Sequence, residues 1–332
     1  MSILVLGGTV FLGRWFVQAA LDAGHDVTLF HRGRHGADLF PDARRLIGDR
    51  ATDLGLLDGG SWDAAVDTSG YLPRAVRASC ERLRSRVGRY LFVSSVSVYA
   101  DADAPTLTED SSVAQLADPS SEDVARDYGA LKAACELDVR EVVGEARSTV
   151  VRPTLIVGPW DPTDRFTYWP VRFAEGGDLL VPDRPSQPVQ VIDARDLAYW
   201  MLLLLEQEVS GVFNAAGPAE PLTLGDLWEA FRAEFPGARP VPVSEGFLSQ
   251  QGVQCWTELP LWIASEARAD GTMRADSSRA VSAGLTFRPL VQTARDTVEW
   301  HRSQPARPWA AGLTAERERH LLELWGERRG SA

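Results

Sequence analysis

The feature that most constrains this chain is a run of glycines lying between a strand and a helix. Ile3 to Leu6 is a short apolar run that meets Gly7-Gly8-Thr9-Val10-Phe11-Leu12-Gly13. Helical apolar spacing follows at Phe11, Leu12, Trp15, Phe16, Ala19 and Ala20. Ala23-Gly24 closes that helix, and Val27 to Phe30 reads as a second strand. Glycines in this context predict a turn whose backbone N–H groups hold a pyrophosphate at the helix N-terminus. A tight βα turn without a ligand is the competing reading. One departure matters. Such turns usually carry a glycine where Val10 stands, because a side chain there crowds the pyrophosphate. Val10 therefore predicts a reshaped turn or a nucleotide seated further out.

Strand and helix patterns continue to alternate. Strands are expected near Arg45–Ile47, Ala64–Asp67, Tyr90–Ser94 and Thr149–Arg152, with helices near Pro73–Arg86 and Val124–Val143. Six strands in this order predict an α/β fold, a Rossmann-type doubly wound parallel sheet with right-handed crossovers. After Gly158-Pro159 the regular alternation is lost until Val189–Ile192, the helix Ala194–Glu206 and a brief strand at Val212–Asn214. The remainder reads as a smaller C-terminal substrate-binding lobe. The expected division is residues 1–157, with about 187–217, for the dinucleotide-binding domain. Residues 158–186 and 218–332 then form the lobe, ending in an amphipathic helix over Thr314–Arg328.

Composition excludes other classes. A net charge of -12 opposes a nucleic-acid partner, since that affinity rests on phosphate neutralisation. Cys80, Cys135 and Cys255 are too sparse for a disulfide framework or a zinc site, so no metal is expected. The apolar run Leu197–Leu205 is too short to span a bilayer, and MSILVLGG is no signal peptide. These readings predict a soluble, cytoplasmic protein without a membrane partner.

Of 34 basic residues, Lys132 is the only lysine. It stands four residues after Tyr128, on one face of the expected helix Val124–Val143. A phenol is a poor proton donor or acceptor at neutral pH, and a fixed cation beside it shifts it toward useful values. An i,i+4 surface pair is the bland alternative. The fifth strand leads into Ser94-Ser95-Val96-Ser97-Val98-Tyr99, at the carboxyl edge where doubly wound sheets take ligands. A hydroxyl there suits a substrate oxygen, although serines also simply end strands. The second strand ends in His31-Arg32-Gly33-Arg34, where a carboxylate would mark NAD. The basic loop predicts preference for NADP(H), with Arg32 on the 2′-phosphate and Arg34 or His31 assisting, NAD(H) remaining possible. Asp49 suits either an adenine amino group or a loop cap.

Several motifs together resemble the extended short-chain dehydrogenase/reductase superfamily, in its NAD-dependent epimerase/dehydratase group. They are the GGTVFLG turn, Gly48-Asp49, Asp67-Thr68-Ser69-Gly70, SSVSVY, YGALK with Glu136, Val151-Arg152-Pro153 to Gly158-Pro159, and Val191 to Leu197. The resemblance implies that Ser95 holds the substrate oxygen, Tyr128 is the general acid/base, and Lys132 binds the nicotinamide ribose and tunes the tyrosine. It further implies cofactor contacts at Arg50, Thr68, Ser69, Gly70, Ser94, Pro153 and Thr154, and a homodimer through helices flanking the sheet. The GGxxxxG turn is similar to that of atypical members, which include reductases, sugar epimerases or dehydratases, and RNA-binding relatives. Val96 and Ser97 stand where sugar dehydratases place an acidic pair, which argues against 4,6-dehydration.

For the substrate, a small molecule, Tyr71, Ser95, Trp160, Arg165 and Trp169 are expected to face the cleft, with Trp256 and Trp262 as further aromatics. An aromatic lining suits a flat or apolar molecule, while Arg165 and Arg172 leave a nucleotide sugar open. Tryptophans serving as lobe core are the alternative. The expected activity is NADP(H)-dependent carbonyl or secondary-alcohol oxidoreduction. A nucleotide-sugar epimerase with tightly bound NAD comes second, and a non-catalytic nucleotide- or RNA-binding protein third.

Overall fold

Seven short strands make the central sheet of the computed structural model, which describes residues 1–36 and 38–330. They are β1 (Ser2–Leu6), β2 (Asp26–His31), β3 (Arg44–Ile47), β4 (Trp62–Asp67), β5 (Val87–Val93), β6 (Ser148–Pro153) and β7 (Gly211–Ala215). All run parallel, in the order β7-β6-β5-β4-β1-β2-β3. The helices that cover it are α1 (Phe11–Asp22), α2 (Pro73–Leu83), α3 (Val124–Val143) and α4 (Ala194–Glu206).

β1 shows why both faces are covered. Ile3 and Val5 join the core under α1 and α4, while Leu4 and Leu6 join the core under α2 and α3. A strand with no polar face must have a layer on each side. The doubly wound α/β expectation holds, with one strand more than the six expected in the sheet. The brief Val212–Asn214 pattern lengthens into β7, registered on β6 from Gly211 opposite Thr149 to Ala215 opposite Pro153. Chain order reverses between β1 and β4, which opens a crevice at their carboxyl ends.

A second core gathers Phe166, Trp169, Phe173, Leu180, Trp228 and Phe231 around a strand pair, Gly177–Pro182 with Ala238–Val243. The terminal helix, Ala315–Gly330, buries Leu321 and packs Leu322, Leu324 and Trp325 against this core. Trp169 corrects one expectation. It is 0% exposed and its indole N–H donates to the Pro260 carbonyl at 2.7 Å, so it is lobe core and faces no cleft. Trp262 is likewise buried. No helix among the described residues is long and apolar enough to cross a membrane.

Candidate active site

The glycine turn owes its shape to backbone that only glycine adopts easily. Gly7 and Gly8 have φ of 110° and 93°. At Gly13 a Cβ would come within 2.9 Å of the Gly8 nitrogen, so α1 packs directly on the turn. α1 begins without a side-chain cap and without an acidic residue in its first turn. The N–H groups of Phe11, Leu12 and Gly13 are therefore orphan donors at the positive end of the helix dipole. A cradle with no room for a Cβ, ending in uncapped donors, fits a dinucleotide pyrophosphate. Val10 is the N-cap residue, its extended backbone leaving the side chain 45% exposed. The reshaping falls on Phe11, held at φ 41°. The Leu12 side chain is buried, so its backbone alone faces the turn, and Thr9 is part-exposed beside it.

Beyond the turn, Arg32 and Arg34 are exposed and take part in no ion pair among the described residues. His31 is turned inward. Its Nδ1 accepts the Gly33 N–H at 3.0 Å and its Nε2 is buried without a partner. Burial and then Arg45 hold its pKa below the usual imidazole value, so it adds no charge to the loop. Asp49 accepts the Ala51 N–H at 2.9 Å, the loop-capping arrangement. Arg50 is a second correction. Its guanidinium grips the fully buried Asp67 at 3.0 and 2.8 Å and donates to Ser79 at 2.9 Å. That charge is neutralised inside the fold. Burial alone would raise the Asp67 carboxyl, but Arg50 outweighs it and holds the group below the usual range.

Tyr128 and Ser95 come together because of one glycine. α3 is capped by Asp123, which accepts the Ala125 and Arg126 N–H groups at 3.1 Å each, and it leaves helical geometry at Asp127. Tyr128 follows that irregularity. A Cβ on Gly129 would stand 1.9 Å from the Ser97 carbonyl oxygen, so helix backbone rests on the backbone after β5. This seating brings Tyr128 beside Ser95, near enough for the serine to draw the phenol's pKa down. Ser95 also donates to Ser97 Oγ at 3.1 Å.

Ser94 points the other way. Its hydroxyl donates to Glu136, which forms a buried two-pronged ion pair with Arg152 at 2.6 Å. Arg152 donates to the Tyr99 hydroxyl at 3.1 Å, and Tyr99 to Asn214 at 2.6 Å. Ser94 thus belongs to the scaffold behind the site.

Lys132 is buried, with Nζ donating to the carbonyls of Gly70 and Val93, each at 2.7 Å. The rings of Tyr71 and Phe92 lie 4.9 and 4.8 Å from it. Burial lowers it to about 8, against the upward pull of Asp67, Cys135 and Glu136, with Arg50 adding to the fall. The expected effect of this lysine on the tyrosine falls to another residue. Burial and then Tyr71 push the Tyr128 phenol up, while Ser95 and Arg165 draw it down.

A pH dependence follows. The folded chain holds the Lys132 proton less tightly than the unfolded chain, so this group opposes folding below about 8. Stability should rise between that pH and ~10.4, the ordinary lysine value. Urea midpoints of wild type and Lys132→Met, compared across this interval, test it. A constant difference between the two would reject the assignment.

Around these groups, Tyr71 is 47% exposed with its ring 6.4 Å from that of Tyr128. Thr68 and Ser69 hydroxyls both donate to the Leu6 carbonyl, at 3.3 and 3.0 Å. Gly70 has no room for a Cβ, with Phe92 and Val76 each 2.7 Å away from it. Pro153 ends β6 and Thr154 follows it, both buried, and the Thr154 hydroxyl has no partner. Arg165 donates through Nε to Thr163, which donates to Asp161 at 2.7 Å. Asp161 is buried with one oxygen unpartnered, and burial raises its pKa. Spacing gave no signal for this carboxylate, one of two in the stretch WDPTDR.

The structure thus gathers a glycine turn at the start of a doubly wound sheet, the neighbouring Tyr128 and Ser95, and a buried lysine one helical turn on. The model of the NAD dependent epimerase/dehydratase family matches residues 72–216 of this chain. A chloroplast stem-loop binding protein of 41 kDa from Arabidopsis thaliana is 27% identical over 65% of this chain, which spans 58% of that relative. The Bordetella bronchiseptica enzyme WbmH, solved in complex with NAD+, has a TM-score of 0.69 at 16% identity, over 92% of this chain and 99% of that one. UDP-N-acetylglucosamine 4-epimerase from Bacillus cereus has a TM-score of 0.67 at 16% identity, over 93% and 99%. At that identity the likeness is one of fold.

Proposed function

We propose that this chain is a nicotinamide-dinucleotide oxidoreductase, with NADP(H) preferred, acting on a carbonyl or secondary alcohol of a small molecule. The observation that carries the reading is the Tyr128–Ser95 pair at the crevice beside the glycine turn. A bound nicotinamide supplies or accepts the hydride. Backbone N–H groups of Gly7 to Gly13 would hold the pyrophosphate, and Arg32 with Arg34 a 2′-phosphate. Lys132 gives two of its three N–H groups to Gly70 and Val93, leaving one for a ribose hydroxyl. Ser95 donates to the substrate oxygen and orients it, and Tyr128 delivers or takes the proton at that oxygen. Tyr71 covers the pair from the solvent side.

Titration with NADPH and NADH tests the cofactor. Wild type should favour NADPH by about 10- to 100-fold, as two or so charge-assisted contacts imply, and Arg32→Asp should remove that preference. An unchanged ratio in the variant would sink the NADP(H) assignment. The family and the fold likeness support a second reading, a nucleotide-sugar epimerase. Against it, Arg172 is tied to Glu318 at 2.7 Å and to the Gly176 and Asp178 carbonyls, leaving Arg165 to meet a diphosphate. Purified protein retaining NAD and showing no net redox change would favour that reading. Stem-loop binding, the property in the Arabidopsis relative's name, is disfavoured by the net charge of -12.

A further inference from the structure

The first turn of α1 carries a cation where elementary electrostatics favours an anion. Arg14 stands four residues after Val10, and its N–H donates to the Val10 carbonyl at 3.4 Å, so the two side chains share a face. Helical side chains lean back toward the N-terminus, which carries this guanidinium toward the phosphate end of the turn. A positive charge there is opposed by the helix dipole.

Nothing in the fold compensates it. The first turn of α1 has no acidic residue, and Arg14 takes part in no ion pair among the described residues. Burial lowers its pKa with no opposing charge nearby. The guanidinium rests instead on Trp160, 3.4 Å from the ring centroid. Trp160 stacks on Trp15 at 4.1 Å, and the Trp15 indole N–H donates to the Pro159 carbonyl at 3.1 Å. Trp160 is itself held in the left-handed region, at φ 73°, a conformation a tryptophan adopts only when its surroundings impose it. The loop after Gly158 is thus fastened to the phosphate turn through an uncompensated cation.

We infer that Arg14 is the counter-ion of the dinucleotide pyrophosphate, reaching past Val10 to phosphate oxygens that the isopropyl group holds away from the helix N-terminus. The inference rests on the dinucleotide reading above and adds a residue to it. A planar guanidinium takes two phosphate oxygens at once, and its stem spans the space a missing glycine would have closed. Moving from Trp160 to phosphate also changes the surroundings of that indole, which couples the loop to the nucleotide.

The test is a ladder of ligands, adenosine, AMP and ADP, titrated calorimetrically against wild type, Arg14→Met and Arg14→Lys, with tryptophan emission recorded in parallel. Arg14→Met should weaken ADP about 10- to 100-fold and leave adenosine within about twofold, since one charged contact is removed and the base site is untouched. Arg14→Lys keeps charge and stem, serves as the folded control, and should show a smaller loss. ADP should alter the emission of wild type and not that of Trp160→Phe. Equal ADP affinity in wild type and Arg14→Met overturns the inference, as does an equal loss for adenosine and ADP. Wild type that binds none of the three overturns the dinucleotide reading, and this inference with it.

Discussion

Tyr128→Phe is expected to lower kcat for carbonyl reduction by about 10³-fold while dinucleotide affinity stays within about twofold. The substitution removes one oxygen and keeps the ring, so the packing against Tyr71 survives. What is lost is the phenol seated beside Ser95 at the crevice. Ser95→Ala should cost less, because it orients the oxygen without transferring a proton. Arg165→Met should shift the pH profile of the tyrosine upward, since that guanidinium draws the phenol down. Stopped-flow measurement of single turnovers separates these effects on chemistry from product release. A Tyr128→Phe enzyme with full single-turnover rate would require another proton donor.

The second large effect lies behind the site. Glu136 and Arg152 form an ion pair at 2.6 Å with both side chains almost wholly buried. Arg152→Met strands the carboxylate in an apolar interior, which costs about 3–5 kcal/mol. The melting midpoint should then fall by roughly 10 °C. Replacing both residues with methionine should recover part of that loss, because an apolar pair is often no worse than a buried ionic one. Recovery cannot be complete, since Ser94 and Tyr99 lose their partners. Equal melting midpoints for Arg152→Met and the double variant would show that the carboxylate is not the source of the loss.

The parts of this molecule that could be read from residue order are those where chemistry is local. The glycine turn, the strand before it and the helix after it lie within the first 22 residues, and the physics of the turn is that of its own backbone. The four-residue spacing of Tyr128 and Lys132 is likewise a property of one helix. The direction in which a long side chain turns was not legible. Arg50 reaches back to Asp67, His31 turns under its own strand, and Lys132 binds carbonyls of two other segments. Each of these outcomes depends on what the fold places nearby, which spacing does not encode. Trp169 shows the same limit for aromatics, because a lobe core and a cleft lining look alike in composition. Arg14 was within reach of the sequence, as the residue one turn after the anomalous Val10. Its identity alone carries no signal, because arginine is common throughout this chain.

Gly129 gives the site a property that its side chains alone would not. The distance between Tyr128 and Ser95 is set where the α3 backbone touches the Ser97 carbonyl. Main chain against main chain is a hard stop, indifferent to which residues line the cleft. A neighbouring side chain such as Tyr71 can therefore be exchanged for other shapes without Tyr128 and Ser95 drifting apart. A library that randomises Tyr71 should leave the spacing of Tyr128 and Ser95 unaltered.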